Sequence, residues 1–335
     1  MARYCVFLLF LWLTSCSVTN PEPAVNPDKT QHIVWPDPPE TARIEFVDMF
    51  SFSEDLGMRS SFSKKIQNML TGSDEIRMVR PYAVAVNDKL IAVADPGAPA
   101  VHVFDKQKKI YRQLTSAGKR QFESPISVAL SNDRLFIADS GLSKVFILNQ
   151  RFKLLSTLED IQRPTSLAYD AERQRLYVTD TPAHEIKVYS QNGELLFIIG
   201  ERGDQRIQFN FPSHLAFSND RLFVNDTMNF RIQILDPDGQ HLGGFGKHGS
   251  GSGYFAQPKG VAVDSEGHIY VAEALSNQVQ IFDDDASFLL GFGTSGEGPG
   301  SFRMPTGLAI WKDMIYVADS YNQRVQIFRY LRKEN

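Results

Sequence analysis

The sequence predicts an all-β protein, a six-bladed β-propeller, and two observations support that prediction. A pattern of about 45 residues recurs six times between residues 76 and 331. Each copy contains short segments with the alternation and β-branched side chains that are typical of β-strands. Four short antiparallel strands at this period are typical of a propeller blade, so six copies predict six blades.

The first strand of each copy is marked by a proline and, four residues later, by an alanine. A proline fits at the first residue of a strand, where no ladder hydrogen bond is lost. The alanine is flanked by larger apolar residues, as in Val84 and Val86, which suits a strand buried on both faces. The prolines are Pro81, Pro125, Pro164, Pro212, Pro258 and Pro305, and the alanines are Ala85, Ala129, Ala168, Ala216, Ala262 and Ala309.

The second strand of each copy ends in an acid, and the third begins six residues later with valine or isoleucine. The acids are Asp95, Asp139, Asp180, Asp226, Glu273 and Asp319. A repeated acid beside a turn favours a structural hydrogen-bond acceptor for the backbone, and a ring of metal ligands is the alternative. We expect no metal site and no cofactor.

The sixth copy lacks a fourth strand, and a segment near the N-terminus has the pattern to supply it. Residues 42–52 alternate, and we predict that they pair as the outer strand of blade six, which removes an exposed edge. Residues 60–71 predict a short amphipathic helix that packs on a blade, with a lid over the channel as the alternative. The closing strand and helix make up residues 41–75, and the propeller makes up residues 76–331.

The N-terminal segment predicts a signal peptide at residues 1–15. Arg3 precedes an apolar run over residues 6–13, which is too short to span a bilayer. The run ends in Leu13-Thr14-Ser15-Cys16, which resembles the bacterial lipobox. That resemblance implies cleavage before Cys16 and lipidation of its thiol, and an ordinary secretory signal is the alternative. Residues 16–40 contain six prolines and predict an extended tether.

The anchor implies a location, and the composition limits the partners. Ser17 after Cys16 resembles the pattern of a lipoprotein sorted to the outer membrane, if the host is Gram-negative. Cys5 and Cys16 are the two cysteines of the chain, so the propeller has neither a disulfide nor a thiolate metal site. A formal net charge of -4 argues against nucleic acid as a partner.

The most regular copy carries a family resemblance. Residues 317–328 read VADSYNQRVQIF and resemble an NHL repeat, and blade four repeats Asp226, Asn229 and Arg231. Blades one, two, three and five keep the strands but lose the asparagine or arginine. The resemblance covers residues 76–330 and implies a six-bladed propeller.

NHL-like propellers include a zinc-dependent amidating lyase whose histidines directly follow repeat prolines. Here those positions hold Tyr82, Ile126, Thr165, Ser213, Lys259 and Thr306. No zinc site is therefore carried over from the resemblance. His214 is displaced by one residue and stands alone.

Strand alternation places the loops before each repeat proline and after each acid at one end of the propeller. Longer, irregular loops gather at that end, where binding residues usually lie on a rigid scaffold. These loops carry six cations that are candidates for contact with an anionic partner, and ordinary solvated loops are an equal alternative. The candidates are Lys119, Arg120, Arg202, Arg206, Lys247 and Arg303.

Three functions remain open from the sequence. The leading hypothesis is a monomeric, lipid-anchored, non-catalytic scaffold that binds a protein or polymer in the cell envelope. The first alternative is a metal-dependent hydrolase or lyase with its site in the central channel, although no nucleophile, base and acid set stands out. The second alternative is a polyanion-binding module.

Overall fold

A computed structural model describes residues 32–60 and 77–332, which form six antiparallel blades around a central channel. From the channel outwards, the strands are Ala83–Val86, Leu90–Asp95, Ala100–Asp105 and Ile110–Leu114 in blade one; Pro125–Leu130, Arg134–Asp139, Lys144–Asn149 and Leu154–Leu158 in blade two; and Pro164–Asp170, Arg175–Asp180, Glu185–Ser190 and Leu195–Ile199 in blade three. Blade four has Pro212–Ser218, Arg221–Asp226, Arg231–Leu235 and His241–Phe245; blade five has Pro258–Val263, Ile269–Glu273, Gln278–Phe282 and Phe288–Phe292; and blade six has Pro305–Trp311, Met314–Asp319 and Arg324–Tyr330, followed by Ile44–Phe50. The sequence prediction of a six-bladed propeller is confirmed.

Short strands and single 3-10 turns lie beside and between the strands of these blades. Two-residue strands lie at Val34–Trp35, Arg59–Ser60, Ser116–Ala117, Arg120–Gln121, Glu201–Arg202, Gln208–Phe209, Thr294–Ser295 and Ser301–Phe302, and single 3-10 turns lie at Glu54–Leu56, Thr181–Ala183, Thr227–Asn229 and Ser320–Asn322. Three of the 3-10 turns directly follow the acid of a second strand.

The first strands of neighbouring blades lie close together around the channel. A Cβ atom on Gly260 would stand 2.4 Å from the carbonyl oxygen of Thr306, and one on Gly307 would stand 2.6 Å from the Cα atom of Ala83. Because no side chain fits at these distances, glycine permits the close approach of blades five, six and one. The small residues of the first strands therefore set the width of the channel.

Phenylalanines pack between adjacent blades on the side of the propeller where each new blade begins. Four of them lie three residues before a repeat proline, and all are at most 5% exposed. They are Phe122, Phe209, Phe255 and Phe302. Each belongs to an apolar cluster shared by two successive blades, so the core consists of layers between the sheets rather than one central mass.

The N-terminal strand joins the two ends of the propeller. Ile44–Phe50 pairs antiparallel with Arg324–Tyr330, with Ile44 opposite Tyr330 and Phe50 opposite Val325. This strand lies within residues 42–52, and it occupies the outer position of blade six. An arrangement of this kind leaves neither chain end as an unpaired blade edge.

The sequence places Val34 and Trp35 in the tether, but the structure packs them against the propeller. Val34 and Trp35 pair with the closing strand, and Val34 is buried. The Trp35 ring lies 5.8 Å from the rings of both Phe292 and Phe328. Two large apolar side chains among the prolines explain the difference, because burying them stabilises a packed segment.

Several sequence predictions lie outside the described residues. The signal peptide, Cys16 and most of the predicted tether fall within residues 1–31, and the predicted helix at 60–71 falls almost entirely within residues 61–76. In the part that is described, no helix has the length and apolar character needed to cross a membrane.

Candidate functional site: the loop face and the channel

The end of the propeller that carries the longer loops is here called the loop face, and the segment before each repeat proline is called the incoming loop. The acid of each second strand holds the incoming loop of its own blade. In blade two, Asp139 is fully buried; its Oδ2 accepts the Glu123 N–H and its Oδ1 accepts the Ser124 N–H, both at 2.9 Å. The same Oδ1 atom accepts the N–H groups of Gly141 and Leu142 in the following turn.

The other five blades repeat this contact. The incoming N–H donors are Val79 and Arg80 to Asp95, Gln162 and Arg163 to Asp180, Asn210 to Asp226, Ala256 and Gln257 to Glu273, and Arg303 to Asp319. This geometry confirms that the acids are structural acceptors. Within the described residues, no cluster of three or more His, Cys, Asp or Glu side chains could hold a metal ion.

Blade six adds a polar network around its acid. Arg324 is 7% exposed, and its Nε donates to Asp319 Oδ2 at 2.8 Å. Its two terminal nitrogens donate to the carbonyl oxygens of Glu297, Gly298 and Ser301 in the incoming loop, at 2.7 to 2.8 Å. The side chains of Asn322 and Gln326 also bridge Asp319 to that loop. The arginine is therefore a buried clamp and is not available to a ligand.

Blade four, two blades before blade six in the chain, contains the same network. Arg231 Nε donates to Asp226 Oδ2 at 2.8 Å, and its terminal nitrogens donate to three carbonyl oxygens within residues 204–208. Asn229 and Gln233 bridge the same carboxylate and the same incoming loop. The signature shared by these two blades thus fixes loop conformation on the loop face.

The structure places the six candidate cations on the loop face, and all six are exposed. Lys119 and Arg120 line a recess of about 350 Å³ that also contains Glu159. Arg303 lines a different recess of about 510 Å³ and pairs with Glu297 at 2.7 Å. Arg202, Arg206 and Lys247 lie on the incoming loops of blades four and five. The cations are spread around the rim rather than gathered in one pocket.

The channel contains a contact that the sequence did not indicate. The rings of Tyr82 and His214, from blades one and four, stack with centroids 5.7 Å apart. His214 Nδ1 lies 2.9 Å from the Ser213 hydroxyl, which in turn contacts the Thr227 hydroxyl at 2.5 Å. Its Nε2 is buried, with no hydrogen-bond partner. The two rings meet because ring closure brings blades one and four to opposite sides of the channel.

Charge in the channel is suppressed by burial. Burial, together with the positive charge of Lys259, lowers the pKa of His214 to about 3, so the imidazole is neutral at neutral pH. Burial also lowers the pKa of Lys259, and the carboxylate of Glu273 offsets part of that effect. The pKa of Glu273 is raised by burial. The imidazole and the two hydroxyls therefore form a neutral polar cluster.

A recess at the opposite end was missed by sequence reasoning. About 460 Å³ of space lies between blades one and two, among the turns that join first to second strands and third to fourth strands. Five cations line it: Lys89, Lys108, Arg112, Arg134 and Arg151. The Lys106-Gln107-Lys108-Lys109 run is the signal in the sequence that could have indicated it.

Comparison with known proteins adds the family of the repeat. The NHL-repeat family model matches residues 255–282 and 302–328, which are the fifth and sixth blades. The chain therefore contains NHL repeats and folds as a six-bladed β-propeller. The sequence pattern groups blade five with the divergent copies, yet the family model matches residues 255–282 of that blade.

The match to curated relatives covers only a small share of their length. Protein brain tumor of Drosophila melanogaster is 29% identical over 109 residues, which cover 32% of this chain and 10% of that protein. The match thus spans about a tenth of the relative's length.

Solved structures share the fold at low sequence identity. An auxiliary nutrient-binding protein from Bacteroides thetaiotaomicron superposes with a TM-score of 0.59 at 14% identity, over 76% of this chain and 70% of that chain. Virginiamycin B lyase from Staphylococcus aureus superposes with a TM-score of 0.53 at 11% identity, over 76% and 96%. At these identities the likeness shows the fold alone.

Proposed function

We propose that this NHL propeller is a lipid-anchored scaffold of the cell envelope that binds a protein or polymer through its loop face. The observation that carries the proposal is the construction of that face: buried carboxylates hold the incoming loops, and exposed cations project from them. A rigid support with variable exposed side chains is the usual design of a binding surface. The nutrient-binding protein with the same fold supports a binding role.

The anchor is tested by cell fractionation. We expect the wild-type protein in the membrane fraction, with a mass shift on the peptide that begins at Cys16, and Cys16→Ala in the soluble fraction. A wild-type protein that is released without detergent, and whose mature N-terminus carries no lipid, contradicts this part of the proposal.

The binding face is tested after cross-linking and pull-down from native membranes identify a specific partner. Lys247→Glu and the Arg202→Glu/Arg206→Glu double variant should each weaken binding of that partner at least fivefold, because exposed charges steer and orient association. Lys312→Glu is the matched control: this cation is exposed at the opposite end and pairs only with exposed Asp88. Equal losses in test and control variants contradict a loop-face partner.

Metal analysis separates the scaffold from a channel enzyme. A stoichiometric ion that is lost when a channel residue such as His214 is replaced would overturn the scaffold proposal in favour of metal-dependent catalysis.

A further inference from the structure

The recess between blades one and two, here called the turn-end recess, is built from four tight turns. Its walls are residues 87–90, 105–112, 131–135 and 149–152, and its volume is about 460 Å³. This size lies within the range of small-ligand sites. The recess stands at the end of the propeller opposite the loop face, so it is separate from the surface proposed above.

Positive charge dominates the lining. Five cations and two carboxylates line the recess, a difference of three positive charges in a chain whose formal net charge is -4. Both carboxylates are already engaged, since Asp105 Oδ2 lies 3.3 Å from Lys108 Nζ and Asp133 Oδ2 lies 3.6 Å from Arg134 Nε. An acidic ligand would therefore meet little repulsion.

Three of the cations have no carboxylate of their own. Within residues 32–60 and 77–332, no ion pair joins Lys89, Arg112 or Arg151 to an acid. The Arg112 guanidinium lies over the Phe152 ring at 5.8 Å, which holds it at the recess wall and leaves its donors free. Unpaired guanidinium groups in a concave site favour bidentate binding of a carboxylate.

The walls are held in place by contacts between the two blades. Asn87 Nδ2 donates to the carbonyl oxygen of Ser131 at 3.3 Å, which joins blade one to blade two. Gln150 Nε2 donates to the Asn132 carbonyl oxygen at 3.2 Å, which joins two turns of blade two. Because these turns are fixed before binding, little ordering free energy is lost when a ligand enters.

We infer that the turn-end recess binds an acidic oligosaccharide whose sugar units carry carboxylates. Arg112, Arg151 and Lys89 provide the contacts for the carboxylates. The exposed amide side chains of Gln107 and Asn132 can donate and accept, as sugar hydroxyls require. This inference rests on the proposed function in one respect: it treats the chain as a binding protein. It concerns a different face, so it does not depend on a loop-face partner.

The experiment is titration calorimetry of the full-length protein in detergent with a tetramer of galacturonic acid. We expect saturable binding that weakens as salt is added, and at least tenfold weaker binding of maltotetraose, which has no carboxylates. Arg112→Gln/Arg151→Gln should weaken binding of the acidic tetramer at least tenfold. Arg151→Gln alone should weaken binding of the acidic tetramer at least threefold. This single variant keeps the stacked Arg112, so it tests the site even if the double variant folds poorly.

Lys312→Gln/Arg329→Gln changes two exposed cations of blade six that do not line the recess; it is the matched control and should leave the affinity unchanged. Failure to bind the acidic tetramer, or equal losses in control and recess variants, would overturn the site. Equal binding of maltotetraose, or tighter binding of tripolyphosphate, would overturn the assignment to a carboxylated sugar. Lys247→Glu tests only the loop face, so the two proposals can fail independently.

Discussion

Blades six and two hold their incoming loops by different means around the same buried carboxylate. In blade six, Arg324 and Gln326 link the carboxylate to the loop through hydrogen bonds. In blade two, the equivalent positions are Lys144, which pairs with exposed Glu159, and buried Phe146, whose ring lies 5.7 Å from that of Phe122. Only the acid is therefore common to all blades, and either a polar network or apolar packing completes the support of the incoming loop.

The difference also explains why the repeat diverges in sequence without losing the fold. Each incoming loop presents one or two N–H groups to the carboxylate of its blade, and this requirement constrains one residue per blade. The neighbouring positions contribute packing or hydrogen bonds that several side-chain types can supply. Truncation of Arg324 should therefore lower the free energy of unfolding much more than truncation of Lys144.

The largest effect is expected for Arg324→Ala in blade six. It leaves the buried Asp319 without its cation and removes the hydrogen bonds from the guanidinium to three loop carbonyls, which should lower the free energy of unfolding by about 3–5 kcal/mol. Urea unfolding monitored by tryptophan fluorescence measures the change. Lys144→Ala is the control and should cost less than about 1 kcal/mol, since its partner Glu159 is exposed and no buried charge is left unpaired. Similar losses in both variants would show that the two blades do not differ as described.

The shared part of the comparison is tested by Asp139→Asn in blade two. The amide keeps one acceptor oxygen but turns an NH₂ group toward a backbone N–H, which leaves one buried donor unsatisfied. We expect a loss of about 2–3 kcal/mol in the same unfolding experiment. Asp133→Asn, at an exposed acid of the same blade, should change stability by less than about 0.5 kcal/mol. A loss for Asp139→Asn no larger than that for Asp133→Asn would contradict a common role for the acid.

Blades four and six share the network but differ in the channel, where His214 stands in place of Gly307. The pKa of His214 is about 3 in the folded protein, below the ordinary value of 6.5. Between these values the unfolded chain binds the proton and the folded chain does not, so stability is present above pH 6.5 and falls as the pH drops. The loss attributable to His214 between pH 7 and pH 5 should be about 2 kcal/mol.

His214→Gln isolates this contribution because all other side chains are the same in the two proteins. Unfolding free energies of wild type and variant, each measured at pH 7 and pH 5, should differ in their pH dependence by that amount. An unchanged pH dependence would show that His214 is accessible to protons in the folded state.

The repeated parts of the fold follow directly from the sequence, because each constraint appears in every copy. Prolines, alanines and acids at fixed intervals locate the first and second strands, and the structure places the acids where a backbone acceptor is needed. What the pattern does not contain is pairing between distant segments. The Tyr82–His214 stack joins residues from opposite blades, and the turn-end recess combines four separate turns.

Local composition gave a wrong prediction for the segment around Trp35 and no prediction for the contacts of Arg324. Prolines around Trp35 indicate an extended tether, yet the indole ring packs on Phe328 because the neighbouring surface is apolar. The sequence did not reveal the role of Arg324 either. The signature shows that an arginine is present, but it does not show that loop carbonyls accept its hydrogen bonds. Such contacts depend on backbone positions set by the whole blade.

The smallest predicted effect concerns blade five, which lies between the two types. It has Glu273 and Gln280 in the network positions, but Gln278 stands where blades four and six have arginine. A recess of about 120 Å³ lies beside these three residues, in the region that the guanidinium occupies in blade six.

Gln278→Arg should complete the network by placing a cation beside the buried Glu273 carboxylate and donors near the carbonyl of Tyr254. We expect a gain of about 1 kcal/mol in unfolding free energy, since a charge-assisted hydrogen bond is partly offset by desolvation of the guanidinium. The matched control is Lys144→Arg in blade two, where Phe146 occupies the position of the network glutamine and no gain is expected. A gain in the control, or a loss in blade five, would mean that the missing arginine does not account for the recess.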